Sequence, residues 1–461
     1  SQSANDVIAT FAPTLTNGGT YVAAVQGVAG GSPALSLVVN SAARERALDQ
    51  DRVEVAVLHG IVDAPAVDVS NWFTDGLFVS DLAYGEFTDY LSLPPAFWAL
   101  RASESGNLAK TAGIWAGDFS AGAGLAAVLF ATGRIGDDTH DLWVLLPDGS
   151  TLPMLAAAEA QMIHDAIGTD VVDVYYDQDV AIQDFEFRTA TNYGLFPARS
   201  AFALGIAPGN SQSAADITFS KALNLRLGKT YTFIPAGEAG TPQFDVFVNE
   251  NARFAAFNPA NAEFNLFHGS PNAPEVDVAR LGGSPVLFDN VQFGEYTDYM
   301  SVPPADYPIS VTPADNNSLV VQSYRADVSG LAGQAFTVFA SGLLGGTPAF
   351  ELWAALADGL TFALPVLVNT DELDQRLSDL SISPNPAVYE VMLRFSLTEP
   401  EALRYALRDL TGRLVMEGDL GLVPAGDFAQ RLDVSQLVAG MYTLELRSDT
   451  GLRSLKVVVA D

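Results

Sequence analysis

Three times in this chain a histidine is followed nine residues later by an aspartate: His59 and Asp68, His164 and Asp173, His268 and Asp277. A histidine beside a carboxylate is the pairing that acid–base catalysis uses, the ring carrying the proton and the carboxylate orienting the ring. Residues nine apart on a continuous strand face opposite sides, so a shared site would need the intervening Asp-Ala-Pro turn to fold the chain back. The simpler expectation is that each histidine and aspartate satisfies backbone groups at a strand end or turn. A structural signature must recur in every copy of a domain, whereas a catalytic pair written three times in a row would be unusual. Only His140 lies outside the repeated phrase, and no Gly-x-Ser-x-Gly elbow, His-Glu-x-x-His helix or Walker phosphate loop occurs. No catalytic or cofactor-binding residue is assigned, and the chain reads as a non-enzyme.

Two acidic stretches could offer oxygen ligands to calcium, Asp137-Asp138-Thr139-His140-Asp141 and Asp173 to Asp179. Neither alternates or closes on a glutamate as a calcium loop does, so exposed acidic turns are expected. No metal ligand is assigned, and calcium is the one metal to test. Trp143 and Trp353 hold equivalent strand positions, with Phe247 in a third copy, and are expected in the core. Trp72 follows Asn71 in a loop-like stretch and is the candidate for an exposed ligand contact such as a sugar face.

The 461 residues are 49% hydrophobic and 17% charged, which gives room for several cores and excludes disorder as the main state. No run approaches eighteen uninterrupted apolar residues, so no membrane span is expected; an export signal, if one existed, has been removed. Cysteine is absent, which excludes disulfides and thiolate chemistry but not export, since sandwiches of roughly 100 residues bury a core without staples. The formal charge is −32, with 55 acidic residues against 23 basic ones, the wrong sign for nucleic acid. Lysine occurs only at Lys110, Lys221, Lys229 and Lys456, which fits a salt-adapted or extracellular surface and equally a soluble acidic one.

The elements that must position these residues are strands. Alternating runs such as Val53–Val57, Thr230–Phe233 and Phe336–Phe339 lie between Gly, Pro, Asn and Asp clusters, and Pro147–Ser150 and Ala357–Leu360 read as hairpin turns. The histidines recur at intervals of 105 and 104 residues, a period suited to tandem globular domains. Asp89-Tyr90, Asn192-Tyr193 and Asp298-Tyr299 recur in the same register, adding Tyr90, Tyr193 and Tyr299 to the signature. The expected fold class is all-β, with tandem antiparallel Ig-like sandwiches over 52–158, 159–260 and 261–370, each folding on its own. Asp371 to Arg376 reads as a linker, and 377–461 as a further small β-sandwich.

Ser1–Asp6 reads almost letter for letter like Ser211–Asp216, so residues 1–51 are expected to be the C-terminal half of a repeat. A half-sandwich exposes sheet edges. Either upstream residues of a longer precursor complete it, or another chain does, as a homo-polymer contact or a strand-donating partner.

The last segment carries Ser383-Pro384-Asn385-Pro386, then Asp409 to Gly412-Arg413, Leu437 to Gly440-Met441-Tyr442, and Lys456-Val457-Val458-Val459. Together these resemble the C-terminal sorting domain of type IX secretion substrates, although Ala460-Asp461 departs from the family's more basic tail. The resemblance implies Sec-dependent passage to the periplasm and export across the outer membrane of Bacteroidetes-type bacteria. Its implied partners are the type IX translocon and sorting machinery. Pro384, Asn385, Pro386, Gly412, Arg413, Gly440, Tyr442 and Lys456 carry the motif. The repeats, by His268–Val278 and Phe293 to Pro304, and by His59–Val69 and Leu82 to Pro95, resemble the domain of unknown function 4397; the middle copy is degenerate. The implied function is a secreted, cell-surface structural or adhesive repeat protein, in one form a subunit of an extracellular fibre. The alternative is a carbohydrate- or ligand-binding accessory region of a larger secreted protein or enzyme.

Overall fold

The structure is a computed structural model that describes residues 7–281, 284–316, 319–367, 376–409, 413–448 and 451–460. Ser1–Asp6, Asp371–Gln375 and Gly412 lie outside the described residues. The opening segment holds one hairpin, β1 (Val22–Gln26) and β2 (Ser36–Asn40). The first complete repeat comprises β3 (Val53–His59), β4 (Val67–Asn71), β5 (Leu77–Leu82), β6 (Leu91–Leu93), β7 (Phe97–Glu104), β8 (Asn107–Asp118), β9 (Ala126–Thr132), β10 (Asp141–Leu145) and β11 (Thr151–Pro153). The second comprises β12 (Leu155–Met162), β13 (Asp165–Ile167), β14 (Val171–Tyr176), β15 (Asp179–Glu186), β16 (Gly194–Pro197), β17 (Ala201–Pro208), β18 (Phe219–Asn224), β19 (Thr230–Glu238) and β20 (Asp245–Asn249). The third comprises β21 (Ala262–His268), β22 (Val276–Arg280), β23 (Val286–Val291), β24 (Met300–Val302), β25 (Asp306–Pro313), β26 (Gln322–Asp327), β27 (Ala335–Ser341), β28 (Glu351–Leu356) and β29 (Thr361–Ala363). The C-terminal sandwich is β30 (Leu377–Ser383), β31 (Glu390–Leu397), β32 (Glu401–Asp409), β33 (Leu414–Val423), β34 (Gly426–Asp433), β35 (Gly440–Arg447) and β36 (Leu452–Val459).

In the first repeat one sheet runs β11-β10-β9-β3-β6 and the facing layer β5-β4-β7-β8; in the third the strand orders are β24-β21-β27-β28-β29 and β23-β22-β25-β26. Most pairings are antiparallel, as the alternating runs predict. The parallel exceptions are β3 with β9, β12 with β19 and β21 with β27, at the same place in each repeat, and β13 with β19 in the second. The chain leaves the first strand, builds the opposite sheet and re-enters from the same end, so the closing strand must run parallel to the first. β3 is buried at every position because both of its faces are covered.

The first and second repeats are not separate beads. β8 pairs antiparallel with β12 through Ala116–Leu155, Trp115–Ala156 and Ile114–Ala157, joining two sheets into one of nine strands. One hydrophobic core runs from Val53 to Val246 through both repeats. The boundary expected at 158/159 therefore falls inside β12, and the expectation that each repeat folds alone fails for this pair. Trp143 and Trp353 are likewise only half-buried: Leu142, Val144, Leu352 and Ala354 on the alternate face fill the core.

By packing, the chain divides into two compact units, one of Ser1–Asp277, Phe288–Asp306 and Asp327–Leu364, the other of Val278–Leu287, Tyr307–Ala326 and Pro365–Asp461. In the second unit β30-β31-β34 and β33-β32-β35-β36 form the two sheets of the C-terminal domain. Alternation along β35 buries Tyr442, Leu444 and Leu446 against Leu393, Phe395, Leu407 and Val457.

Trp115→Ala removes a fully buried ring from the strand the two repeats share and is expected to cost about 3–5 kcal/mol. Calorimetry should show residues of both repeats shifting in one transition; two transitions, with only the first displaced, would contradict a shared core.

Candidate functional site

The His59 Nε2–H donates to the Pro65 carbonyl at 3.0 Å, and the His268 Nε2–H to the Pro274 carbonyl at 3.1 Å. His268 Nδ1 accepts from the Ser270 N–H at 3.3 Å, and His164 Nδ1 from the Ala166 N–H at 3.2 Å. A carbonyl can only accept, so the rings of His59 and His268 carry their proton on Nε2 and brace the turn that follows the strand. Burial lowers the pKa of all three repeat histidines, and the carbonyls of Pro65 and Pro274 only partly oppose it. His140, the fourth histidine, donates in the same way to the Ala112 carbonyl at 2.9 Å.

The aspartates engage a different feature. Asp68 Oδ1 accepts from the Asp81 N–H at 2.8 Å, Asp173 Oδ1 from the Asp184 N–H at 2.9 Å, and Asp277 Oδ1 from the Asn290 N–H at 2.7 Å. Those three donors share a left-handed backbone, with φ of 53°, 52° and 54°. Asp81 and Asp184 lie in β-bulges, where the register between Val67 and Val69 and between Val172 and Val174 slips against the neighbouring strand. Each carboxylate thus caps the N–H that the extra residue leaves without a ladder partner. The second oxygen of Asp68 accepts from the Gly106 N–H at 2.9 Å, and that of Asp173 from the Ser211 hydroxyl. Histidine and aspartate are thus held by separate backbone groups.

The tyrosines lead to residues that sequence reasoning missed. The Tyr90 hydroxyl accepts from the Arg44 N–H at 3.0 Å, the Arg44 guanidinium lies 4.6 Å over the Tyr90 ring, and Arg44 pairs with Glu54 at 2.5 Å. At the joint between the second and third repeats, Tyr299, Arg253 and Glu263 form the same lock, with 3.1, 4.6 and 2.5 Å for the same contacts. Burial alone would raise the Glu54 carboxyl, but the Leu48 N–H, Arg44 and the Asp49 N–H together hold it below the usual value. The equivalent Glu159 is fully buried at the joint of the first and second repeats and is served instead by Arg101 at 2.6 Å, the Trp72 indole N–H at 2.8 Å and the Thr230 hydroxyl at 2.8 Å. Tyr193, the degenerate copy, donates to the Arg253 carbonyl at 3.4 Å. The signal in the sequence was a glutamate five residues before each repeat histidine, within an otherwise apolar strand.

Trp72, the candidate ligand contact, is half-buried with its N–H on Glu159; the exposed ring beside it is Phe73, edge-on at 5.4 Å. Trp353 and Phe247 are partly buried and pack against a small core of Ile163, Ile234, Phe267 and Phe339 at the joint between the second and third repeats. Arg188 lies 5.3 Å from the Trp353 ring and pairs with Glu351 at 2.5 Å, while Phe247 stands 5.5 Å from both Phe267 and Phe293. Asp165, which replaces the glycine after the histidine in the degenerate copy, points at Gly269 of the next repeat, where a Cβ would lie 1.9 Å from its Oδ2. Burial raises its pKa well above the usual range, opposed by the Ser341 hydroxyl and the Arg188 charge. In the acidic turn 137–141, Asp138 faces Arg199 at 3.1 Å and Arg226 at 3.6 Å, and Asp141 accepts from the Trp115 indole at 3.1 Å. Asp177 accepts from the Ala203 N–H at 2.8 Å.

In the C-terminal domain, Asn385 donates through Nδ2 to the Lys456 carbonyl at 2.9 Å and accepts at Oδ1 from the Val458 N–H at 2.8 Å. Its amide thus substitutes for a strand partner along β36, between Pro384 and Pro386, which have no N–H to offer. The Tyr442 hydroxyl donates to the Val438 carbonyl at 2.7 Å, Gly440 opens β35, and Arg413 pairs with Asp409 at 3.0 Å. Asn385 thus ties the segment before β31 to the last strand, Tyr442 fixes the entry to β35, and Arg413 pairs back onto the end of β32. Among the described residues no helix is long and apolar enough to cross a membrane.

Arg253→Ala leaves Glu263 buried without its cation and is expected to cost about 2–4 kcal/mol, discounted because Arg253 itself is partly exposed. The double change Arg253→Met, Glu263→Leu should restore most of the lost Tm, and a single variant as stable as the parent would contradict the lock. His164 adds a pH prediction, since its folded pKa falls from 6.5 to about 4. The unfolded ring takes up a proton first, so the stability tied to its neutral form is complete above pH 6.5 and is lost as pH falls towards 4. His164→Asn should flatten the decline of Tm across that window; an unchanged slope would contradict the assignment.

The family model described as "Domain of unknown function (DUF4397)" matches residues 158–279 and 262–356, and the one described as "Secretion system C-terminal sorting domain" matches 381–460. No curated protein matches the chain. Among solved structures, the Bacillus anthracis TIE protein is 9% identical with a TM-score of 0.14, covering 97% of this chain and 74% of that one. A tetra-tandem repeat from the extending region of a large adhesion protein is 12% identical with a TM-score of 0.15, covering 89% and 99%. PorZ, a surface component of the type IX secretion system of Porphyromonas gingivalis, is 9% identical with a TM-score of 0.16, covering 87% and 74%. Scores of this size define no common arrangement of domains. Residues 158–356 thus match the DUF4397 model and 381–460 the sorting-domain model, on segments whose motifs resembled those families, while the first copy lies outside the matched residues; the sorting domain marks the chain for type IX export to the cell surface or extracellular space.

Proposed function

We propose that the protein is a non-enzymatic structural or adhesive array, displayed at the cell surface through its sorting domain. The observation that supports this best is what the recurring polar residues engage. The histidines brace turns, the aspartates cap bulged or neighbouring strands, and the Arg-Glu-Tyr sets fasten one repeat to the next. Residues repeated for architecture serve function by architecture: tandem copies multiply weak contacts by avidity and hold them away from the cell. As an adhesin the array would present its loops to a surface; as a fibre subunit it would present strand edges to a neighbour.

A second reading, a carbohydrate- or ligand-binding accessory region, draws on one feature. Phe73 and Phe97 are 56% and 50% exposed and stand 6.3 Å apart, an apolar pair suited to the face of a sugar ring.

In a bacterium with type IX secretion, in-frame deletion of residues 52–370 with the sorting domain kept should abolish attachment or surface-layer assembly while the tail is still exported. Turnover by the purified chain that is lost in the His59→Gln, His268→Gln double variant at unchanged Tm would overturn the non-enzymatic reading. Saturable glycan binding abolished by Phe73→Ala would favour the second.

A further inference from the structure

The β7–β8 hairpin of the first repeat, the turn before β19 and the segment after β20 meet around a cleft of about 410 Å³, within the roughly 300–1,000 Å³ of small-molecule sites. Lys110 and Lys229, two of the four lysines in a chain of charge −32, both line it. Backbone contacts fix its walls. Gly228 has a φ of 67°, and a Cβ there would lie 2.7 Å from the Gly113 Cα, so the turn packs directly on β8. The Gly228 N–H donates to the Ala157 carbonyl at 2.8 Å, and the Lys229 carbonyl accepts from the Glu159 N–H at 3.0 Å. At the lip, Phe257 is 39% exposed; Asn107 Nδ2 donates to its carbonyl at 3.1 Å, and the Arg253 guanidinium lies 4.0 Å from its ring.

The framework of this joint recurs, but the lining of the cleft does not. Matching Arg44 to Arg253, and Val22 to Thr232, each paired across its hairpin with an asparagine, places Gly19, Ser41, Ala42 and Leu48 where the cleft has Lys229, Glu250, Asn251 and Phe257. The arginine–glutamate lock is common to both joints and these four residues are not, so the joint closes without them. Their chemistry suits a ligand that is acidic and hydroxylated at once. Lys229 is exposed, and no carboxylate pairs with it among the described residues. Lys110 pairs with Glu104 at 2.9 Å, and its ammonium has further N–H bonds to give. Glu104 and Glu250 repel a multiply charged anion such as a phosphate ester but accept from sugar hydroxyls, the Asn251 amide can donate or accept, and Phe257 offers a face to a sugar ring.

We propose that this cleft binds a carboxylate-bearing sugar of the uronate or sialate type, with Lys229 as counter-ion, Lys110, Glu104, Glu250 and Asn251 on the hydroxyls and Phe257 against the ring. The charge of the rest of the chain bears on where such a ligand can bind. With 55 acidic residues against 23 basic ones, most of the surface repels an acidic glycan, and a place where lysines gather holds it. The site is separate from the Phe73 and Phe97 pair. It gives the adhesive form of the array a ligand class and rests on that reading. The two fail separately, because the array is tested by deletion and export in the cell and the cleft by binding to the purified chain.

The test titrates the full chain by calorimetry with trigalacturonate and with sialyllactose, each beside its uncharged counterpart, the trigalacturonate methyl ester and lactose. Saturable binding of at least one acidic saccharide is expected, with its counterpart at least about 10-fold weaker, and whichever acid binds identifies the sugar type. Lys229→Gln should weaken that binding by a similar factor, Lys229→Arg should keep it, and Phe73→Ala should leave it unchanged. All three should keep the parent's Tm, since Lys229 and Phe73 are exposed. Equal affinity for the acid and its uncharged counterpart, or for the parent and Lys229→Gln, would overturn the proposal. So would loss of binding in Phe73→Ala, or no binding of either acid at about 10 mM.

Discussion

A glutamate buried in the first strand of every repeat sets the terms for the rest of the structure. Glu54, Glu159 and Glu263 have only a few per cent of their surface in water, and a carboxylate removed from water must find charge and hydrogen bonds or become protonated. None of the three can satisfy itself from its own strand. Glu54 and Glu263 draw in an arginine ten residues upstream, from the segment that enters the repeat, and so fix how that segment lies. Glu159 has no arginine there, and its cation comes instead from Arg101 of the preceding repeat. The charge that each repeat buries is answered by residues outside its own sheets, which makes the joint part of the fold.

Two kinds of joint follow. At one kind the entering segment is held by arginine, tyrosine and glutamate, and an aromatic or aliphatic side chain of the preceding hairpin packs beside it. At the other, between the first and second repeats, the sheets run into each other through β8 and β12. The two alternate, so the structural period is a pair of repeats rather than one. That period explains why the opening residues resemble the middle of the second repeat rather than the first. It also explains why the degenerate copy departs where it does: Asp165 occupies the glycine position because it points at Gly269 of the neighbour.

Strand alternation, glycine-bearing turns and the tail motif made the fold class and the C-terminal domain legible in the sequence. The Pro147–Ser150 turn closes as its residues dictate, and Tyr442 faces inward as β35 alternates. The joints were hidden. Alternation assigns Trp143 and Trp353 to one face of a strand but cannot say whether that face meets the core or a neighbour. The alanine-rich stretch 155–160 has low strand propensity and reads as a boundary, yet pairing with β8 on one side and β19 on the other makes it a central strand. Trp72 read as exposed because its loop is polar; its partner, Glu159, lies 87 residues away. Contacts of that range leave no local pattern.

Whether the joints are structure or tether is the central question, and amide hydrogen exchange on the intact chain answers it most directly. If the joints are part of the fold, the Arg44 and Arg253 amides, which donate to Tyr90 and Tyr299, exchange as slowly as amides within β3 and β21. Exchange at the rate of free linkers, with the strands on either side still protected, would contradict it.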